Sequence, residues 1–270
     1  RDRVRMYANG WFSGAREPED FAKAALAAKE KGVTALKWDP FGSAYMFMDA
    51  QQFSHSIEIV EAVRGAVGKA VDIAVDFHGR VSPAMSIRLL KELEPYYPLF
   101  VEEPALPENV DEMVRVSRST TIPIAAGERL FGKWGFRELI EKQAVSVVQP
   151  DLCHCGGIFE ARKIAAMAEV YHMQIAPHNP LGPISLAACI QLDVCTPNLL
   201  AQEHPGMPDG RDLGVGILKR PFEIEGGCIR VPEGPGLGIE VIECALDAQS
   251  FDGSWDTPHL FFDDGSVADW

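Results

Sequence analysis

Residues 71–104, VDIAVDFHGRVSPAMSIRLLKELEPYYPLFVEEP, contain one complete repeat of the pattern that organises this 270-residue chain. A short apolar run at 71–76 is followed by a longer stretch of helical periodicity at 82–94, and then by a second apolar run at 99–102. An apolar strand, a helix and another apolar strand are typical of a parallel sheet covered by helices. The stretch therefore predicts a βαβ unit.

The same alternation extends in both directions along the chain. It predicts strands at 4–9, 33–38, 71–76, 99–102, 122–126, 145–149, 173–176 and 199–203. It predicts helices at 18–31, 49–66, 82–94, 108–118, 133–142, 157–171 and 183–195. Eight strands with seven intervening helices indicate an α/β fold, a (β/α)7β barrel that modifies the eightfold TIM barrel.

The end of the last predicted strand divides the chain into two parts. We expect residues 1–203 to form the catalytic barrel. Residues 204–270 are rich in Gly and Pro, as in PEGPG at 232–236. Such residues are typical of turns, so this part is predicted to be an irregular C-terminal segment packed on the barrel.

Composition and charge exclude several classes of partner. The chain has 25 Lys and Arg against 39 Asp and Glu, a net charge of −14 at pH 7, whereas a nucleic-acid surface needs clustered basic residues. No apolar run approaches the ~20 residues of a membrane-spanning helix, and the first residues lack the layout of a secretory signal. The six cysteines include no C-x-x-C pair. These features predict a cytoplasmic protein with reduced thiols that binds neither nucleic acid nor membrane.

Polar residues stand where most of the predicted strands end. In barrels of this kind the catalytic groups lie at the carboxyl ends of the strands. The residues found there are Lys37, Asp39, Asp76, His78, Glu102, Glu128, Asp151, His178 and Glu203. A folding core does not need polar ends on strand after strand, so these positions indicate a functional site.

Three of these carboxylates recur at intervals of one βα unit. Asp76, Glu102 and Glu128 are separated by 26 residues in each step, so we expect them to project from adjacent strands toward one point. Clustered carboxylates repel one another unless a cation neutralises them. Oxygen ligands without a nearby thiol favour a hard ion, and we expect Mg²⁺ rather than Ca²⁺ or Zn²⁺.

Two histidines accompany the acidic residues. His78 lies two residues beyond Asp76, so both side chains face the same way on a strand. His178 ends the seventh strand, and Asp151 at the end of the sixth can orient it through a ring N–H and raise its basicity. The pattern predicts two catalytic imidazoles on opposite sides of the metal.

Several contiguous motifs are specific enough to resemble a known family. They are VDFHGRVSPAM (75–85), FVEEPALPEN (100–109), IPIAAGERL (122–130), VVQPDLCHCGGI (147–158) and IAPHNPLGPISLAACIQLD (175–193). These motifs resemble the enolase superfamily, and within it the mandelate-racemase-type group, with the greatest similarity to the D-galactonate dehydratases. The resemblance covers the predicted barrel, from about residue 4 to residue 203.

The resemblance implies a ligand set for the metal. Asp76, Glu102 and Glu128 would bind Mg²⁺, and in the Glu-Glu-Pro motif the ligand would be Glu102 rather than Glu103. Enolase-superfamily sites combine a Lys or His base with Mg²⁺ that stabilises an enediolate.

The resemblance also implies a reaction and a role for each remaining residue. His178, assisted by Asp151, would take the C2 proton of a sugar acid, an aldonate such as galactonate, to give a metal-stabilised enediolate. His78 would protonate the departing 3-hydroxyl, and Glu203 would hydrogen-bond the substrate. The product would be a 2-keto-3-deoxy acid, which makes the predicted enzyme a hydro-lyase.

One departure from the group bears on the reaction. Racemases of the group carry Lys-x-Lys on the second strand, whereas this chain has Lys37-x-Asp39. The absence of a second basic residue favours elimination by one base and one acid, and we expect Lys37 and Asp39 to contact the substrate. An isomerase (a cycloisomerase or epimerase) with the same first half-reaction is the alternative, and a non-enzymatic sugar-acid-binding or scaffold protein is a weaker one.

Two further expectations follow from the family. Its members have an N-terminal capping domain of about one hundred residues, and this chain begins immediately before the first strand, so we expect the cap to be absent from it. Members also assemble from several barrels, which predicts a homo-oligomer.

Overall fold

The computed structural model describes residues 1–206, 216–249, 253, 260–261 and 265–268. Its barrel strands are β1 (Arg3–Ala8), β2 (Ala35–Trp38), β3 (Asp72–Asp76), β4 (Phe100–Glu102), β5 (Ile124–Ala126), β6 (Val147–Val148), β7 (Gln174–Ile175) and β8 (Gln202–His204). Consecutive strands from β1 to β7 pair in parallel, and β8 pairs in parallel with β1. A parallel bridge between Ile175 and Leu199 joins β7 to the segment that enters β8. The predicted (β/α)7β barrel is therefore confirmed.

Helices lie between the barrel strands, as the hydrophobic periodicity predicts, and one further helix lies in the C-terminal segment. They are α1 (Pro18–Glu30), α2 (Ala50–Val67), α3 (Pro83–Leu93), α4 (Val110–Ser117), α5 (Gly132–Glu141), α6 (Leu152–Cys155), α7 (Gly157–Val170), α8 (Pro183–Val194) and α9 (Glu243–Ala248). The short helices α6 and α9 were not predicted, because four and six residues are too few to show a helical period.

Local chemistry explains where a helix such as α2 begins and which face it buries. The Asp49 carboxylate accepts a hydrogen bond from the backbone of Gln52 at 2.8 Å, and the Gln52 side chain bonds back to the Asp49 amide. This capping box satisfies amide groups that the first turn leaves without partners. The buried apolar residues of the helix, Ile59, Val60, Val63 and Val67, form a stripe that packs on the barrel.

A layer of mostly small side chains fills the inside of the barrel. It consists of Tyr7, Ala35, Ala74, Phe100, Ala125, Val147, Ala176 and Ala201. The rings of Tyr7 and Phe100 meet edge to face across the barrel, with centroids 5.6 Å apart. Alternate residues of a strand share a face, so the residue two positions further on also faces the barrel axis. Those next residues include Lys37, Asp76, Glu102, His178 and Glu203.

The C-terminal segment contains regular structure that the sequence analysis missed. Strands β9 (Ile224–Glu225) and β10 (Cys228–Arg230) form a hairpin, and β10 pairs antiparallel with β1. Strands β11 (Leu260–Phe261) and β12 (Val267–Ala268) form a second antiparallel pair. The expectation that residues 204–270 are irregular is thus corrected for these stretches, and part of that range lies outside the described residues. Strands of two or three residues carry almost no periodic signal.

Two observations bear on the environment of the chain. Within the described ranges, no helix combines the length and the apolar character needed to cross a membrane. The six cysteines all fall in those ranges and are free thiols.

Candidate active site

Three carboxylates converge at the carboxyl end of the barrel. Asp76 and Glu102 are the last residues of β3 and β4 and lie opposite each other in the parallel register. Glu128 follows β5 by two residues. Each of the three offers an oxygen, and these oxygens lie within 4.8 Å of one another. The spacing of one βα unit therefore predicted the convergence correctly.

A glycine places Glu128 in this cluster. Gly127 has a φ of +145°, and a Cβ at this position would lie 2.8 Å from the Phe136 ring and 2.9 Å from the Gln149 carbonyl oxygen. Only glycine fits so close to another backbone. The chain can therefore turn immediately after β5 and direct the next side chain inward.

Lys37 lies in the middle of the carboxylates. It is buried, and its Nζ is 3.0 Å from Asp76 Oδ2, 2.7 Å from Glu102 Oε2 and 3.0 Å from Glu203 Oε1. Burial lowers the pKa of Lys37, but the three carboxylates outweigh burial and raise this pKa well above its usual value. Lys37 is thus a permanent positive charge within an acidic site.

The positive charges near the triad do not neutralise all three of its carboxylates. Burial and the charge of Asp76 raise the pKa of Glu102 well above its usual value despite Lys37. Burial also raises the pKa of Glu128, against the opposing charge of His178. For Asp76, His78 and Lys37 outweigh burial and keep the pKa below its usual range. Two of the three acids would therefore gain from a further cation.

The donor set fits a hard metal ion. Its atoms are all carboxylate oxygens, the ligands that Mg²⁺ and Ca²⁺ take in proteins. Glu102 Oε1 is buried and has no hydrogen-bond partner among the described residues. A buried polar atom without a partner is costly, and a bound cation would satisfy it. The triad could therefore hold a metal ion.

His178 flanks the triad on one side. Its Nδ1 lies 2.8 Å from Asp151 Oδ2, and its Nε2 lies 3.4 Å from Glu128 Oε2. Burial lowers the pKa of His178, but the hydrogen bond to Asp151 and the charges of Glu203 and Glu128 raise it to about 9. Because part of this rise comes from Glu128, a cation held by Glu128 would bring the pKa down again.

Asp151 is itself fixed by the backbone. Its Oδ1 accepts hydrogen bonds from the amides of Cys153 at 2.7 Å and His154 at 3.2 Å, so it caps the helix α6. Burial raises the pKa of Asp151, but the hydrogen bond and charge of His178 lower it below its usual value. One carboxylate therefore caps the start of a helix with one oxygen and orients an imidazole with the other.

His78 flanks the triad on the other side. Its Nδ1 lies 2.9 Å from Asp39 Oδ2, and its Nε2 lies 3.4 Å from Asp76 Oδ2. Burial lowers the pKa of His78, but the charge of Asp76 and the hydrogen bond with Asp39 raise it to about 9. The two histidines thus approach the acidic cluster in matching ways, each with Nε2 toward a triad carboxylate.

Glu203 completes the floor of the site. It is buried, and its Oε1 accepts from Asn9 Nδ2 at 2.9 Å as well as from Lys37. Its Oε2 accepts from the amide of Asn179 at 2.8 Å. Burial raises the pKa of Glu203, but Lys37 and His178 lower it below its usual range. In the structure, Lys37, Asp39 and Glu203 bond to other residues of the site. Their predicted contacts with a substrate stay predictions.

Sequence reasoning passed over several residues around the site. Arg80 is buried against Asp39, and Arg129 pairs with Glu103 at 3.0 Å and donates to the His78 carbonyl at 2.6 Å. The ring of His154 lies 6.4 Å from that of His178. The His-Gly-Arg and Gly-Glu-Arg motifs did carry the two arginines, but their acidic partners follow neighbouring strands that are remote in the sequence.

The fold and the site together define a class of protein, a (β/α)7β barrel whose strand ends carry three metal-competent carboxylates between two histidines. Residues 20–245 match the family described as Enolase C-terminal domain-like. The chain therefore belongs to the enolase superfamily, as its motifs predicted.

Over its whole length the chain is similar to proteins named D-galactonate dehydratase. It is 41% identical to the one from Ralstonia pickettii (strain 12J), with 100% of this chain and 71% of that protein covered. The identity to the one from Cronobacter sakazakii (strain ATCC BAA-894) is 38%, with the same coverage. The predicted likeness to D-galactonate dehydratases is thus confirmed.

Solved structures agree with this assignment. A mandelate racemase/muconate lactonizing enzyme from Sulfitobacter sp. is 38% identical with a TM-score of 0.87, and the match covers 94% of this chain and 66% of that one. A member of the enolase superfamily from Salmonella Typhimurium is 32% identical with a TM-score of 0.84, and there the coverage is 92% and 68%. The chain thus spans about two thirds of each structure.

Proposed function

We propose that this protein is a Mg²⁺-dependent sugar-acid dehydratase. It would convert an aldonate such as galactonate into a 2-keto-3-deoxy acid and water. The observation that carries the proposal is the pair of imidazoles on opposite sides of the triad, each with Nε2 3.4 Å from a triad carboxylate. A small molecule bound at the triad would have a base on one side and an acid on the other. The similarity to D-galactonate dehydratases over the whole chain supports the same reaction.

Asp76, Glu102 and Glu128 would hold the Mg²⁺, because their oxygens are the three that converge. The cation supplies electrostatic stabilisation for the negative charge that develops on the substrate carboxylate. Lys37 lies beside two of these acids and adds a fixed positive charge in the same place. We expect Lys37 and Glu203 to contact oxygen atoms of the substrate.

His178 is the proposed base. Its Nδ1 is engaged with Asp151, so Nε2 is the nitrogen that faces the cluster. Asp151 fixes the tautomer and the direction of the ring, as a carboxylate partner of a basic histidine does. His178 Nε2 would accept the proton from C2, and the C–H electron pair would stay on the substrate.

His78 is the proposed acid. As the electron pair from C2 forms the C2–C3 double bond, the C3–O bond breaks, and His78 Nε2 gives its proton to the departing hydroxyl. Hydroxide is a poor leaving group, so this proton transfer contributes directly to the rate. The enol that results takes up a proton at C3 and becomes the 2-keto-3-deoxy acid.

The reaction on the His78 flank separates this proposal from the isomerase alternative. An isomerase would return a proton or close a ring without loss of water. Asp39, which stands where a racemase of the group has its second Lys, bonds to His78 and Arg80. This arrangement supports an acid at His78 rather than a second base at position 39.

A screen of acid sugars tests the proposal. The protein is incubated with Mg²⁺ and a panel of aldonates and aldarates that includes galactonate, and keto-acid formation is followed with a carbonyl reagent. We expect keto acid from at least one compound, and we expect EDTA to abolish it and added Mg²⁺ to restore it. Turnover without a keto acid would point to the isomerase, and turnover that survives EDTA would contradict the metal requirement.

A further inference from the structure

Arg80 is a buried arginine next to the site. Its guanidinium donates from one terminal nitrogen to Asp39 Oδ2 and from the other to the Gly42 carbonyl at 2.6 Å. Arg80 belongs to the loop after β3, whereas Asp39 and Gly42 belong to the loop after β2. The arginine therefore ties these two loops together at the mouth of the barrel.

The carboxylate of Asp39 is held by three donors. Its Oδ1 accepts from the Phe41 amide at 2.8 Å, and its Oδ2 accepts from Arg80 and lies 2.9 Å from His78 Nδ1. A carboxylate oxygen accepts hydrogen bonds from a ring N–H, so this contact directs Nδ1 of His78 to Asp39 and leaves Nε2 on the side of the acidic cluster. Asp39 thereby fixes which nitrogen of His78 faces the acidic cluster.

The main chain of His78 has an unusual conformation, which bears on how its ring is held. His78 has a φ of +50°, in the left-handed region that non-glycine residues rarely adopt. Its amide donates to Asp76 Oδ1 at 2.9 Å, and its carbonyl accepts from Arg129 at 2.6 Å. These two bonds fix the main chain, and the contact of Nδ1 with Asp39 bears on the rotation of the ring.

We propose that Arg80 and Asp39 are positioning residues that hold the His78 imidazole against the departing C3 hydroxyl. They would serve the elimination and not the removal of the C2 proton. This inference rests on the proposed function. It gives Asp39 a role through His78 rather than the direct substrate contact expected from the sequence.

The separation of the two steps follows from the layout of the site. His178 is oriented by Asp151, which is held by backbone amides of α6 on the other side of the cluster. Arg80 acts on the loops after β2 and β3. Its loss should therefore disturb the acid while the base keeps its geometry.

Two reactions of the same substrate report on the two steps. The full chain is assayed with Mg²⁺ and galactonate in D₂O, in the wild type and in the Arg80→Met, Arg80→Lys and Asp39→Ala variants. Keto-acid formation measures elimination, and loss of the C2 proton signal from unreacted galactonate measures proton abstraction. We expect elimination to fall about 10- to 100-fold in Arg80→Met and Asp39→Ala, as for other residues that orient a site histidine.

Exchange at C2 should persist in these variants, so the ratio of exchange to elimination should rise about tenfold or more. Arg80→Lys should recover part of the elimination, because it keeps a cation near Asp39 although it lacks the planar fork. Equal loss of exchange and elimination in Arg80→Met would overturn the inference.

Arg64 provides a matched control. It is a partly buried arginine that donates to the carbonyls of Gly68 and Val71, immediately before β3, and of Tyr96. This is the amino end of the strands, opposite to the site. Arg64→Met should lower stability without a change in the ratio of exchange to elimination. A rise of that ratio equal to the one in Arg80→Met would also overturn the inference.

A crystal structure of Asp39→Ala provides a test that does not depend on turnover. We expect the His78 ring to rotate so that Nε2 leaves the neighbourhood of Asp76. A ring that stays in place would overturn the inference. If the wild type neither exchanges nor dehydrates galactonate or any other acid sugar, the proposed function fails, and the ring position alone then decides whether Arg80 and Asp39 position His78.

Discussion

The two flanks of the acidic cluster carry the same arrangement by different means. On each flank an imidazole directs Nε2 to a triad carboxylate at 3.4 Å and meets an aspartate through Nδ1. For His178, that aspartate is held by two backbone amides at the start of α6. For His78, it is held by one backbone amide and the side chain of Arg80.

This difference indicates how each histidine depends on the rest of the sequence. The support of His178 comes from five consecutive residues, Asp151 to Cys155, and needs only that a helix begins there. The support of His78 needs an arginine and an aspartate from two separate loops. We therefore expect the His78 flank to be the more sensitive to substitutions of neighbouring side chains.

The largest effect should come from His178→Asn. General acid–base catalysis contributes about 10²- to 10⁴-fold, and we expect a loss at the upper end, because without a base both C2 exchange and elimination stop. Mg²⁺ binding, measured by calorimetry, should stay close to that of the wild type, since His178 is not a triad member. Retention of most of the turnover would show that the base lies elsewhere.

His78→Asn should have a smaller effect that is confined to one step. We expect elimination to fall about 10²- to 10³-fold, while exchange of the C2 proton continues because His178 and its aspartate are untouched. Proton NMR in D₂O measures both processes in one sample. Loss of the exchange reaction in this variant would contradict the division of roles between the flanks.

Glu128→Gln tests the cluster that lies between the flanks. The amide keeps the shape but removes the charge, and we expect Mg²⁺ affinity to fall by about tenfold or more. Glu138→Gln is the control, because Glu138 is an exposed acid on α5 that pairs with Lys142. Equal metal titrations of the wild type and Glu128→Gln would remove Glu128 from the ligand set.

His154→Ala should give the smallest effect. His154 lies on the His178 flank, where its Nδ1 bonds the Glu128 carbonyl at 3.1 Å and its ring stacks on Phe131. The loss of one such hydrogen bond costs about 1 kcal/mol, which corresponds to about fivefold in kcat or in Mg²⁺ affinity. A loss as large as that of His178→Asn would make His154 a third catalytic histidine.

The barrel and its acidic triad could be predicted because both are periodic. Seven helices and eight strands follow from apolar residues at regular intervals, and the helix ends fall within two residues of the prediction. Every barrel strand except β1 is shorter than expected, since apolar character extends beyond the ladder bonds, as at 145–149 where β6 covers Val147–Val148. Asp76, Glu102 and Glu128 recur once per βα unit, so the fold itself brings them together.

The features that were missed depend on contacts or on very short elements. The bonds of Arg80 to Asp39 and Gly42 join two loops, and no local pattern specifies which arginine reaches which acid. The left-handed turn at His78 is equally invisible in the order of the residues. The hairpin of β9 and β10 did have a signal, the Gly226-Gly227 pair between two short segments in which apolar and charged residues alternate, which is a common hairpin turn.

The measurement that tests the central claim most directly is a crystal structure with Mn²⁺ in place of Mg²⁺. We predict a single anomalous peak at the mouth of the barrel, at about 2.1 Å from one oxygen each of Asp76, Glu102 and Glu128. The rings of His78 and His178 should lie on opposite sides of it. A Mn²⁺ ion bound elsewhere, or triad oxygens that diverge at saturating Mn²⁺, would contradict the account.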